Sequence, residues 1–283
     1  MSESSLYQGG RILLPTLHQK ERVIVPEFRR ILGAHVVPLA VDTDSFGTFS
    51  GETPRVGTPE EAVVKKLEIA RTHGADYAIA TEGSFGPHPH MPFLASHHEI
   101  VAFRDYQRGF TVFEKDIFLK VVFGSIDVTR IEDADDFLRA MRFGNYKMIV
   151  QSVTDMTLPA HKGIGRRSEL VDAMRALQHA SGGDSVRVST DMRAHANPLR
   201  MWRIRTLSRR LARRLLVLCP GCVCPGYGQI GQEVGLPCSE CGMETGEIAA
   251  LVYGCPKCQH TSRIPRSDGR TKASPGNCSW CNP

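Results

Sequence analysis

Residues 58–88 read TPEEAVVKKLEIARTHGADYAIATEGSFGPH, and this stretch decides the fold of the larger part of the chain. Thr58, Pro59 and Glu61 form a T-x-x-E capping box with proline at the first helical position, so a helix begins there. Gly74 stops it near residue 73. Residues 76–81 (DYAIAT) follow as a buried-type strand that ends in Glu82-Gly83-Ser84-Phe85-Gly86-Pro87-His88. Upstream, residues 11–16 read as a strand, 20–32 as an amphipathic helix with Pro26 in its middle, and 34–41 as a second strand. Residues 42–57 form a loop rich in Thr, Ser, Gly and acids, of a length that often carries function. Downstream, 98–105 and 110–117 alternate as a β-hairpin around Gln107-Arg108-Gly109. Helix 132–142, strand 146–153, helix 166–181 and strand 185–190 complete the series. This alternation predicts an α/β domain with a mixed sheet over residues 1–197.

A basic helix follows. Asn197 and Pro198 read as its N-cap and first residue, and Met201, Ile204, Leu207, Leu211 and Leu215 recur at helical spacing. Residues 200–214 (RMWRIRTLSRRLARR) hold seven arginines and no acid. The expected role of residues 198–216 is a solvated helix linking two domains; the alternative is a contact with a phosphate-rich partner such as a nucleic acid.

Residues 217–283 are governed by cysteine. All nine cysteines lie in the last 65 residues, and eight form the CxxC pairs Cys219/Cys222, Cys238/Cys241, Cys255/Cys258 and Cys278/Cys281. Each CxxC turn aims two thiolates at one point, and two turns complete the S4 shell that Zn2+ prefers. The intervening gaps are 15, 13 and 19 residues, and the outer two fit zinc-ribbon spacing. A tandem zinc-ribbon module with two structural zinc ions is expected. The simplest pairing is sequential, the first two knuckles holding one ion and the last two the other; spacing alone leaves an interleaved pairing open. Disulfides need an oxidising compartment, and an iron–sulfur cluster would use the same ligands. Cys224 is left over and reads as a buried free thiol.

With 41% apolar and 23% charged residues and a net charge of +5, the composition is that of a soluble globular protein. No apolar run approaches the ~20 residues that span a bilayer. The opening MSESSLYQGG has neither a basic n-region nor an apolar h-region, so a cytoplasmic location is expected.

Ligands of α/β sheets sit at the carboxyl ends of strands, and four polar clusters fall there. The first is Thr16, His18, Lys20 and Arg22, where a helix N-terminus and a lysine suit phosphate. The second is Asp42 and Asp44, the third Glu82-Gly83-Ser84, and the fourth Asp191, Arg193 and His195. Carboxylates beside a lysine suit Mg2+ bridging a polyphosphate, with Glu61 as one more ligand or simply a capping residue. Asp191 and His195 suggest an acid/base pair, and Arg193 a phosphate or carboxylate clamp. His88, His90, His97 and His98 read as scattered surface histidines. The leading expectation is a Mg2+-dependent hydrolase of a phosphorylated small molecule. The alternatives are a nucleic-acid-binding module and a non-catalytic scaffold whose zinc tail docks a protein.

The chain resembles a bacterial family of uncharacterised proteins with an α/β domain and a cysteine-knuckle tail. The likeness is carried by His18-Gln-Lys20-Glu21-Arg22, residues 42–52, Glu82 to His88, Thr190 to His195 with Asn197-Pro198, and the closing Cys278-Ser-Trp-Cys-Asn-Pro283. Residues 11–90 also resemble, more weakly, the inosine/xanthosine triphosphate pyrophosphatases and Maf-like proteins. That likeness rests on the strand, lysine loop and helix of 11–32, on Gly57-Thr-Pro-Glu-Glu61-Ala with Lys65 and Lys66, and on Gly74-Ala-Asp76 leading to Glu82-Gly83. It implies an inosine triphosphatase-like fold and Mg2+-dependent cleavage of a nucleoside triphosphate. Three features depart from that family: Thr16-Leu-His18 stands where it has Ser-x-Asn, its basic base-reading motif is not evident, and the cysteine tail is foreign to it.

Overall fold

The computed structural model describes residues 5–41, 57–183 and 185–283. Two connections that pass through a helix build the parallel part of its main sheet. Strand β1 (Arg11–Pro15) leads through helix α1 (Glu21–Leu32) to β2 (His35–Leu39), and helix α2 (Pro59–Thr72) leads into β3 (Tyr77–His88). The strands β1, β2 and β3 are parallel, with Ile12 level with Val36 and with Tyr77. A hairpin of β4 (Met91–Asp105) and β5 (Phe110–Phe118) adds two antiparallel strands, giving the order β2-β1-β3-β4-β5. The mixed sheet expected from the sequence is present.

Both faces of this sheet are covered, as parallel strands require. On one side α2 packs Val63, Leu67 and Ala70 against Leu13, Ala78, Ala80 and Ile100. On the other, α1 contributes Ile24 and Phe28, and helix α5 (Pro198–Arg214) contributes Ile204, Leu207 and Leu211, against Ile12, Leu14, Ile79, Val101 and Phe103. Helix α5 is therefore a wall of the main core. The solvated linker expected for residues 198–216 is corrected here, because the helix buries a full apolar stripe and two of its arginines, Arg200 and Arg203.

A second, four-stranded antiparallel sheet follows, in the order β6 (Ser125–Val128), β9 (Val186–Thr190), β7 (Met148–Ser152), β8 (His161–Ile164). Helices α3 (Asp135–Ala140) and α4 (Arg167–Ser181) cover it, with Leu138, Met148, Val150, Leu170, Met174, Val186 and Val188 as its core. β6 and β8 were not expected: SIDV and HKGI are four residues each, too short for a periodic pattern to stand out.

The cysteine-rich part is a meander of β10 (Gly228–Val234), β11 (Ile248–Gly254) and β12 (Thr261–Pro265). Its first knuckle is fastened to the main body. Cys224 joins the main core, and a Cβ on Gly226 would lie 2.6 Å from Val112 Cγ2. Among the described residues no helix is long and apolar enough to cross a membrane.

Candidate functional site

β1 stops at Pro15 whereas β3 runs on to His88, so Thr81, three residues past Ala78, the last residue paired with β1, borders a notch in the sheet. The chain turns at Gln19 (φ 56°) and enters α1 with Lys20 at the N-cap position. Lys20 is buried there and donates to the Thr81 carbonyl at 3.4 Å. Lys66, from α2, donates to the same carbonyl at 3.4 Å and to Glu82 Oε2 at 2.5 Å. Two buried ammonium groups thus share one carbonyl. Lys66 has a carboxylate; Lys20 has none in ion-pair range among the described residues. Burial first, then the Lys66 and Arg200 charges, bring the Lys20 ammonium down to about 7, against the pull of Glu99 and Glu82.

On the α5 side lies a buried ionic chain. Glu99 accepts from Arg200 Nε at 2.9 Å and from His97 Nε2 at 2.8 Å, and Arg200 Nη1 donates to Met192 O at 2.7 Å. Arg203 Nη1 donates to His97 Nδ1 at 2.6 Å. A guanidinium has only donors, so Nδ1 must accept and Nε2 must carry the proton given to Glu99. His97 is accordingly neutral, and burial lowers its pKa. Burial raises the Glu99 carboxyl, but the Arg200 charge and the His97 hydrogen bond outweigh it and leave it at about 2. Phe85 stacks flat on His97 at 4.1 Å, which closes the chain from the β3 side.

The segment between β9 and α5 completes the site. Arg193 Nη2 donates to Asp191 Oδ2 at 2.6 Å, and the Gly163 amide donates to the same oxygen at 3.1 Å. The His195 ring stacks on His18 at 5.5 Å. Burial, with Lys20 and Arg200 nearby, lowers His18 to about 2, so its imidazole is neutral. Asn197 caps α5 by accepting from the Arg200 amide at 3.0 Å.

His18, Lys20, Glu82 and the Asp191–His195 segment were expected to carry chemistry, and the fold places them at this notch. Their pairings differ from expectation. Asp191 is held by Arg193 rather than by His195, so the acid/base dyad is replaced by an ion pair and a histidine stack. Glu82 lies inside β3 rather than just past a strand ending at residue 81, and it pairs with Lys66. Glu61 is exposed and accepts from the Thr58 amide at 2.9 Å in a complete capping box, so the capping role is the one seen. Asp42 and Asp44 lie outside the described residues. Lys66, His97, Glu99 and Arg200 were missed as site residues. The alternation of β4 could have flagged Glu99, since it falls in phase with buried Val101 and Phe103. His97 shares that phase and is fully buried, which corrects its surface reading.

The eight knuckle cysteines form two groups of four whose sulfurs converge: Cys219, Cys222, Cys255 and Cys258, and Cys238, Cys241, Cys278 and Cys281. The pairing is interleaved, not sequential. In the meander, Gly228 lies level with Gly254 and that with Thr261, whereas Val234, Ile248 and the Ala250–Pro265 pair lie toward the opposite end. The first and third knuckles therefore meet at one end of the sheet and the second and fourth at the other. The Sγ–Sγ separations of 3.6, 3.7 and 3.9 Å match a tetrahedron with metal–sulfur bonds of 2.3 Å, whose edge is about 3.8 Å. Amides of Gly221 and Lys257 point at Cys219 and Cys255 sulfurs at 3.4 and 3.3 Å, as thiolate ligands favour. Each group can hold a metal ion, an arrangement compatible with structural zinc. Cys224 belongs to neither; burial lifts its thiol to about 11.

A family model described as Domain of unknown function (DUF6671) matches residues 65–283. The chain belongs to the DUF6671 family. The matched region runs from α2 through both cysteine groups and includes Lys66, Glu82, Glu99, Asp191 and Arg200, while His18 and Lys20 precede it. No curated protein matches the chain.

Proposed function

We propose that this DUF6671 protein is a hydrolase acting on a nucleoside triphosphate or a related phosphate compound, bound at the notch beside β1. The observation that carries this reading is Lys20: a buried lysine, paired with a second lysine on one carbonyl and lacking a carboxylate of its own among the described residues. An anionic substrate group would supply the missing charge. Lys20 and Lys66 would hold the phosphate, Glu82 would orient the attacking water, and the His18–His195 stack would line the leaving-group side. Glu99, held ionised between Arg200 and His97, acts as the anchor that fixes Arg200 rather than as a base.

Mg2+, the cofactor implied by the likeness of residues 11–90 to nucleotide pyrophosphatases, takes one or two carboxylates plus substrate oxygens, and of the carboxylates expected to hold it Asp42 and Asp44 lie outside the described residues. Among the described residues, only the cysteine groups bring three or more ligands to one point, and Glu61 and Glu82 are committed elsewhere. No step is assigned to it. In this reading the two cysteine sites hold structural Zn2+, because a closed S4 shell leaves no open position for substrate.

The nucleic-acid reading loses most of its cations. Arg200 is spent on Glu99, Arg205 and Arg209 on Glu27, and Arg210 and Arg214 on Glu114. The test is phosphate and pyrophosphate release by zinc-loaded protein from canonical and deaminated nucleoside triphosphates, with and without Mg2+. Release that disappears in Glu82→Gln supports the reading. Release unchanged in that variant would remove Glu82 from the mechanism.

A further inference from the structure

Away from the notch, a cleft of about 750 Å3 opens between β5, the end of α5 and β10 of the cysteine-rich sheet. Small-molecule sites span roughly 300–1,000 Å3, with apolar and aromatic walls and a few convergent polar groups. This cleft has that make-up. Val217, Ile230 and Tyr253 supply apolar and aromatic surface, Arg213 and Lys115 (3.5 Å from Glu60) supply cations, and Tyr227 lines the wall.

Two of these groups lack partners among the described residues. The Tyr227 hydroxyl is buried with no hydrogen bond among them, and the residue is only 7% exposed. A buried hydroxyl left unpaired costs about 1–3 kcal/mol, so a native structure seldom keeps one without use. Arg213 makes no ion pair among the described residues, whereas its neighbours Arg210 and Arg214 are tied to Glu114. The same two arginines cap the carbonyls of Lys115 and Phe113, so the β5 edge is closed to an added peptide strand. What remains is a concave, net-positive site with tyrosine on its wall.

We propose that this cleft binds a nucleotide-sized organic anion. Its phosphate or carboxylate would pair with Arg213 beside Lys115, its ring would lie against Tyr253, and a ring heteroatom would satisfy the Tyr227 hydroxyl. Because the cleft joins β5 to β10, its ligand bridges the α/β part and the metal-binding part and favours their association by mass action. This site does not depend on the hydrolase reading, since it shares no residue with the notch.

The experiment is calorimetric titration of the zinc-loaded full chain with AMP, GMP, CMP and UMP. It is run in a Lys20→Met background so that the notch contributes no phosphate binding. At least one nucleotide is expected to bind saturably, and at least tenfold more weakly after Arg213→Ala or Tyr227→Phe is added. Both changes are mild, one at an exposed side chain and one removing a single oxygen. Adenosine and inorganic phosphate, titrated separately, should each bind more weakly than the whole nucleotide. No saturable binding of any of the four nucleotides overturns the proposal, as does binding that both added variants leave unchanged.

Discussion

A Cβ placed on Gly83 would lie 2.5 Å from Arg200 Nη2 and 2.6 Å from Glu99 Oε2. Gly83 stands opposite Glu99 in the β3–β4 register, so the buried ion pair occupies the space a side chain would need. Gly83→Ala is expected to lower stability by about 1–3 kcal/mol, read as a shift of the urea midpoint, because the pair cannot move without losing its bonds. Glu99→Ala leaves Arg200 buried and unpaired and should cost about 3–5 kcal/mol in the same assay. Protonation tests the histidines. His18 and His97 have pKa values lowered by burial, so below about 6.5 the unfolded chain takes up protons that the folded chain refuses. Stability therefore falls as pH is lowered from 7 toward 5, and His18→Gln should flatten that slope. A slope unchanged in that variant would mean His18 is not held neutral.

At the level of elements, α5 and the cysteine meander show what periodicity conveys. The apolar stripe of α5 and its Asn197 cap were legible, because a helix writes its own period into the sequence. The destinations of its arginines were not. Arg200 meets Glu99 and Arg209 meets Glu27 across roughly a hundred residues or more, and nothing local encodes such pairs. The knuckles behaved likewise. Each CxxC turn was evident, but which turns share a metal is set by strand direction in β10–β12. That assignment is testable by zinc counting. The double variant Cys222→Ser/Cys241→Ser should lose both zinc ions, since its two cysteines serve different sites, while Cys222→Ser/Cys258→Ser should lose one. Sequential pairing predicts the reverse.

Over the whole molecule, the main sheet was readable where its elements are long, capped and apolar, as in the run from Thr58 to Thr81. The second sheet was half readable, since β6 and β8 are four residues each and put only Ile126, Val128 and Ile164 on the core. The notch was readable as a set of strand ends but not as a set of contacts. It is assembled from β1, α2, β3, β4 and the entry to α5, and its charge balance exists only once those elements meet. That balance places a buried lysine, with no carboxylate in ion-pair range among the described residues, at the centre of the account. A group kept for function at a cost to the fold should, when replaced by an apolar side chain of similar length, leave stability equal or raise it by about 1–3 kcal/mol. The deciding measurement is phosphate release and thermal midpoint, taken together on zinc-loaded wild type and Lys20→Met with the nucleoside triphosphate panel. The account predicts release by the wild type, its loss in the variant, and a midpoint in the variant no lower than that of the wild type. Release that survives in Lys20→Met, or a wild type that cleaves nothing in the panel, would contradict it.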